Sequence, residues 1–144
     1  MFDRKQQLTS IAAAAALALL PGTASAESLI VHLKGVRSAA GEVQLDLYDI
    51  QRKHIAKKRI PARIGDARVE FDGVAPGAYG VYVYHDENGN GKLDTGGLLR
   101  LPVEGYAFSN DAPVRFGPPA IKDLRVDVRK GAAASTRATL TYRR

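Results

Sequence analysis

The 144-residue chain has no cysteine, no tryptophan, one methionine and three histidines. Without cysteine there is no disulfide framework, thiolate metal site or thiol nucleophile. Three histidines, scattered at His32, His54 and His85, are too few for a zinc centre. No glycine-rich loop runs into Lys-Ser or Lys-Thr, so the phosphate cradle of a P-loop is missing. Beyond residue 26 there is no long apolar run, so the mature chain is expected to carry no transmembrane segment.

The N-terminus is different in kind. Arg4 and Lys5 precede a short apolar run from Ile11 to Leu20, then Pro21-Gly22 and Ala24-Ser25-Ala26. That pattern predicts a secretory signal peptide over residues 1–26, cleaved after Ala26. The remaining 118 residues make one domain, 27–144, with 19 basic and 14 acidic residues and a net charge of +5. A cysteine-free exported chain suits the bacterial periplasm or a secreted location, and nucleic acid is not an expected partner. Much of the basic excess lies in Arg52-Lys53-His54, Lys57-Lys58-Arg59 and Arg143-Arg144. It reads first as a solvated face. Its alternative, docking on an anionic envelope surface, would weaken steeply with salt.

The hydrophobic period after residue 27 is two. Leu29, Val31 and Leu33 alternate with polar neighbours, as do Val43, Leu45 and Leu47, and Ala67, Val69 and Phe71. The same holds for Tyr79, Val81, Val83 and His85, for Leu124, Val126 and Val128, and for Ala138, Leu140 and Tyr142. Each run predicts a half-buried strand. Ile60-Pro61-Ala62 reads as a short edge strand, and residues 50–58 as a weak helical turn. Short strands separated by turn signals predict an all-β fold, a single antiparallel β-sandwich. Residues 86–120 break the rhythm as one long functional loop. Its aromatics, Tyr106, Phe108 and Phe116, predict that it is ordered and folds over Tyr82 and Tyr84.

Asp86-Glu87-Asn88-Gly89-Asn90-Gly91-Lys92-Leu93-Asp94 opens that loop with oxygen-bearing side chains at every second position. Read as a calcium loop, Asp86, Asn88, Asn90, the Lys92 carbonyl and Asp94 are the ligands. The closing position falls on Gly97, which has no side-chain oxygen, and Glu104 is the nearest acid to complete the set. Such a site would bind Ca²⁺ weakly, on the order of 10⁻⁴–10⁻³ M. The alternative is a Gly/Asn-rich turn, with Asp86 and Asp94 only capping it.

Two resemblances bear on the fold. Phe71-Asp72-Gly73-Val74-Ala75-Pro76-Gly77-Ala78-Tyr79 resembles the Pro-Gly turn and core tyrosine of transthyretin-like and carboxypeptidase-regulatory-like sandwiches. Three blocks then follow: His85 to Asp94, Glu104-Gly105-Tyr106-Ala107-Phe108-Ser109-Asn110, and Arg115-Phe116-Gly117-Pro118-Pro119. Together they resemble the secreted bacterial family called domain of unknown function 2141. That resemblance implies a small Ig-like or prealbumin-like envelope sandwich and no established activity. Thr95-Gly96-Gly97-Leu98-Leu99-Arg100 departs from it, standing where a bulkier, more polar link is expected.

Catalysis has thin support. Ser109, His85 and Asp111 can be drawn as a triad, but no nucleophile elbow or oxyanion pattern accompanies them. The leading expectation is a non-catalytic envelope binding or structural module, without catalytic residues. Its metal loop would adjoin a binding surface of His85, Glu104, Tyr106, Phe108, Asn110, Arg115 and Phe116. The partner would be an envelope protein, a polysaccharide or an anionic lipid surface. The alternative is a small hydrolase or carbohydrate-active protein using His85 with Asp86, Asp94 or Glu104.

Overall fold

The structure is a computed structural model that describes residues 26–143. The expected signal peptide lies, apart from Ala26, outside the described residues. Ten strands follow in order: β1 Glu27–Val36, β2 Glu42–Asp49, β3 His54–Pro61, β4 Gly65–Val74, β5 Gly77–Asp86, β6 Thr95–Gly96, β7 Leu101–Pro102, β8 Gly105–Phe108, β9 Val126–Val128 and β10 Ala134–Thr139. A three-stranded sheet in the order β10-β1-β4 faces a five-stranded sheet in the order β3-β2-β5-β8. β9 joins the larger sheet on β5, and β6 and β7 form a separate hairpin.

The fold is an all-β sandwich, with one departure from purely antiparallel pairing. β10 runs parallel to β1, Leu29 opposite Ala134 and Lys34 opposite Thr139. The chain reaches β10 from β9 in the other sheet, not through a hairpin on β1, so nothing forces the antiparallel sense.

The alternating positions build the core. Leu29, Val31, Leu33, Val69, Phe71 and Ala138 meet Val43, Leu45, Leu47, Val81, Val83 and Val126 between the sheets. The Tyr79 ring is buried among them and its hydroxyl donates to the Ala75 carbonyl at 2.6 Å, as its turn motif leads one to expect.

Two segments differ from expectation. The predicted helical turn at 50–58 is a tight turn followed by strand β3. Asp49 Oδ1 accepts the Gln51 and Lys53 N–H groups, and Arg52 takes a positive φ of 65°. The short edge strand predicted at 60–62 is the end of that eight-residue strand. The basic run thus lies on an open sheet edge, where lysine and arginine discourage pairing with another chain.

The 86–120 segment also folds otherwise than expected. Its β8 part lies beside Tyr82 and Tyr84, because β8 pairs with the edge of β5, Tyr82 opposite Phe108 and Tyr84 opposite Tyr106, while its start reaches Tyr84, whose hydroxyl donates to the Gly91 carbonyl at 3.0 Å. A side-by-side ring row, Tyr48–Tyr82–Phe108–Tyr106, runs across the outer face with centroids 5.0, 5.2 and 6.1 Å apart. β8 and β9 share one edge of β5, and Ser109 fills the gap between them. It accepts the Val81 N–H at 3.0 Å and donates to the Leu124 carbonyl at 2.6 Å.

The turn between β1 and β2 meets the end of β5 closely. Gly41 has φ +66°, and a Cβ on it would lie 1.9 Å from the Asp86 carbonyl oxygen. Gly41→Ala therefore forces the turn away from β5. Urea denaturation should show a loss of about 1–3 kcal/mol or more, and an unchanged stability would contradict the packing.

Candidate functional site

β5 ends in His85 and Asp86, and consecutive strand side chains leave on opposite faces. His85 turns inward and is completely buried. Its Nε2 lies 2.7 Å from the Ala40 carbonyl and its Nδ1 2.8 Å from the Tyr142 hydroxyl. The nitrogen facing a carbonyl must carry hydrogen, and Glu87 Oε1 lies 3.7 Å from the other nitrogen, Nδ1. The Tyr142 oxygen also accepts the Arg37 N–H at 3.2 Å, and the Arg37 guanidinium lies 4.3 Å above its ring. Arg37 then grips both Glu87 oxygens at 2.8 Å, and the Ser38 hydroxyl donates to the same carboxylate at 3.1 Å. The C-terminal segment, the β1–β2 turn and the root of the long loop are thereby tied together.

Asp86 turns to the other face and is almost wholly buried. Its Oδ2 accepts the Gln44 amide at 3.1 Å and the Gly91 N–H at 2.7 Å, and its Oδ1 accepts the Asn90 N–H at 3.1 Å. Asn88 Oδ1 accepts the Asn90 N–H, and Asn90 Oδ1 accepts the Lys92 N–H, both at 3.1 Å. The Asn90 amide donates to both Asp94 oxygens at 2.8 Å, and the Asn88 amide adds a further short bond. The Asn90 bond first, and the Asn88 bond second, hold the Asp94 carboxyl below its ordinary range. The structure thus brings Asp86, Asn88, Asn90 and Asp94 together on one loop, with Lys92 between the last two.

Glu104 closes the loop from outside. It is buried, and its two oxygens accept the Glu87 and Asp94 N–H groups, each at 3.0 Å. The Val103 N–H donates to the Asp94 carbonyl at 2.9 Å. The β6–β7 hairpin therefore starts and ends on a fixed root. Among the described residues no group of three or more His, Asp and Glu side chains is placed to hold a metal. Any ion in this loop depends on amide and backbone oxygens as well.

The expected binding surface divides. His85 and Glu104 do not belong to a surface at all, because both are buried with their polar atoms engaged. Tyr106 and Phe108 are half-buried on the outer face and line a cleft of about 260 Å³. Asn110, Arg115 and Phe116 line a second cleft of about 590 Å³, beyond the other end of β8. Asn110 is also structural, donating to the Arg125 carbonyl at 2.8 Å, whereas Phe116 is fully exposed. The triad drawn from Ser109, His85 and Asp111 does not assemble. Ser109 is bonded at Val81, four residues along β5 from His85, and Asp111 accepts the Thr139 N–H at 2.7 Å.

Sequence reasoning missed Gln44, which is buried and links Asp86 to the Tyr84 hydroxyl, 2.8 Å from its Oε1. Nothing in the alternation marked it, since Gln44 stands on the polar face of β2, opposite Tyr84. It also missed Asp46, which lies 2.9 Å from His54 and 3.5 Å from Lys57, committing part of the basic run to a neighbour.

A family model matches residues 31–136, which cover the sandwich from β1 to β10. The chain belongs to DUF2141, described as an uncharacterized protein conserved in bacteria. No curated protein and no solved structure matches the chain. The family match spans both the Asp86 loop and the Glu104 clamp.

Arg37 holds the Glu87 carboxyl below its ordinary range. A carboxylate depressed in the folded state stabilises above its unfolded pKa, about 4.3, and loses that contribution as pH falls through the folded value. Glu87→Gln should therefore lower the melting temperature by about 4 °C at pH 7, and the gap should shrink as pH falls below the unfolded pKa. A gap independent of pH would contradict this role for the pair.

Proposed function

We propose that the protein is a non-catalytic binding module of the bacterial envelope, delivered there by residues 1–26. Its working end is the 86–104 segment, and the ion that end takes is Ca²⁺. The observation that supports this is the convergence of Asp86, Asn88, Asn90 and Asp94 on a single loop, with the side-chain oxygens folded toward the loop's own backbone. Two carboxylates, two amide oxygens and the Lys92 carbonyl form a hard oxygen donor set of the kind calcium prefers. The amide hydrogens of Asn88 and Asn90 supply the positive partner for Asp94. A cation at the same place would substitute for them.

The geometry gives the hydrolase alternative little to work with. His85 is buried with both nitrogens engaged, and strand alternation turns it away from Asp86. Asp86 and Glu104 are occupied by backbone and amide donors. A binding role uses the loop as a fixed platform and asks none of these groups to move a proton.

Calorimetric titration of the protein with CaCl₂ tests the reading, with MgCl₂ as control. Asp94→Ala is the informative variant, since Asp94 is half-exposed and Asp86 is bound into the sheet. A calcium-specific heat with a dissociation constant on the order of 10⁻⁴–10⁻³ M is expected, lost in the variant. The melting temperature should rise with calcium in the parent protein alone. No heat at 10-fold excess over that range (~10 mM) would leave the loop a turn and overturn the calcium reading.

A further inference from the structure

The β6–β7 hairpin ends in a turn, Gly97-Leu98-Leu99-Arg100, closed by the Arg100 N–H on the Gly97 carbonyl at 3.2 Å. Leu98 is 99% exposed and Leu99 75% exposed. Neither leucine joins the core, so the turn needs neither for its folding. Turn tips are ordinarily made of Gly, Asn, Asp, Pro and Ser. Two adjacent leucines at an apex keep in water an apolar surface whose burial elsewhere would be favourable.

The hairpin that carries the tip is fixed at its base. Its root is fixed by the Val103–Asp94 backbone bond and by Glu104 on the Asp94 N–H. Leu98 stands four residue steps beyond Asp94, a reach of roughly 13 Å at strand rise. A second turn with the same character stands at this end of the sandwich. Glu42 pairs with both Pro61 and Asp86, so the β3–β4 turn leaves the sheet at the level of the loop. That turn presents Arg63 and Ile64, with Ile64 74% exposed. Each turn therefore sets an exposed aliphatic side chain next to an exposed arginine, Leu99 beside Arg100 and Ile64 beside Arg63.

We propose that this end of the protein docks on an anionic phospholipid surface. Leu98, Leu99 and Ile64 enter the headgroup–acyl boundary, and Arg100 and Arg63 pair with lipid phosphates. A convex apolar tip about one hairpin long matches the roughly 5–10 Å depth to which interfacial segments sink. The arginines supply charge complementarity to an anionic leaflet, and the +5 charge of residues 27–144 acts in the same direction. A protein partner would need a groove to receive the tip. A bilayer interface receives any apolar protrusion that carries basic flanks. The inference gives the envelope module above its partner and rests on that reading for its working end, but it requires no calcium.

Flotation of the chain beginning at Glu27 with vesicles tests the proposal, using phosphatidylglycerol–phosphatidylethanolamine against pure phosphatidylcholine. Every mixture is run in EDTA and again in millimolar CaCl₂. Binding to the anionic vesicles in EDTA is expected. Leu98→Ser/Leu99→Ser should reduce it about tenfold or more, and Arg100→Ser should reduce it less and flatten its salt dependence. Both variants should melt with the parent protein, since their side chains lie outside the core. Binding only with calcium would overturn calcium-independent docking, even if the double-leucine variant lost it. No binding in either condition would overturn the proposal. So would undiminished binding by the double-leucine variant, or equal binding to neutral vesicles. Because the EDTA arm contains no calcium, a failed calcium titration and failed docking remain separate results.

Discussion

The buried carboxyl group of Asp86 is the constraint on which this end of the molecule depends. A carboxylate removed from water must be met by donors, and an isolated one would be too costly to keep. Gln44 from β2 supplies one donor, and Asn90 and Gly91 supply two from the chain just beyond the strand. The need to satisfy Asp86 therefore bends residues 87–91 back over the end of β5. Gly91 can make that bend, with φ +80°, because it has no Cβ to clash.

Glu104 repeats the same physics from the far side of the loop. Its two oxygens hold the first and last amides of the segment, Glu87 and Asp94. The result is a loop without regular structure whose Asn90, Gly91 and Lys92 amides are held by its own side chains and whose Glu87 and Asp94 amides are held by Glu104. Below it, His85 and Tyr142 fasten the C-terminal segment to the β1–β2 turn through Arg37 and Glu87. Loop, turn and C-terminus thus form one hydrogen-bonded unit at one end of the sandwich. The leucine tip projects from the hairpin whose root Glu104 and Val103 fasten at Asp94.

The strands were legible because each half-buried strand repeats every two residues. Leu29 to Leu33, Val43 to Leu47 and Tyr79 to Val83 carry that period clearly, and they form the sheets that enclose the core. β3 was not legible, since in this edge strand the run Lys57-Lys58-Arg59 breaks the alternation that Ile55 and Ile60 do not restore. The parallel placement of β10 depends on the long connection before it, which alternation does not encode. In the site, the spacing of Asp86, Asn88, Asn90 and Asp94 was readable because a loop's ligand-like residues lie close in sequence. Gln44 was harder, as its partner is 42 residues away from it; Glu104 was readable as the nearest acid beyond the loop, but not its bonds to the Glu87 and Asp94 amides. His85 shows a signal present but underused. Its alternation with Val81 and Val83 already pointed it into the core.

Amide hydrogen exchange at Glu87, Asn90, Gly91 and Asp94, compared between the parent protein and Glu104→Gln, addresses most directly whether the loop is a rigid platform. A platform organised by Asp86 and Glu104 predicts protection in the parent comparable to that of β5. The variant should lose it at Glu87 and Asp94 while Asn90 and Gly91 stay protected by Asp86. Exchange of all four amides at free-chain rates in the parent would contradict the account.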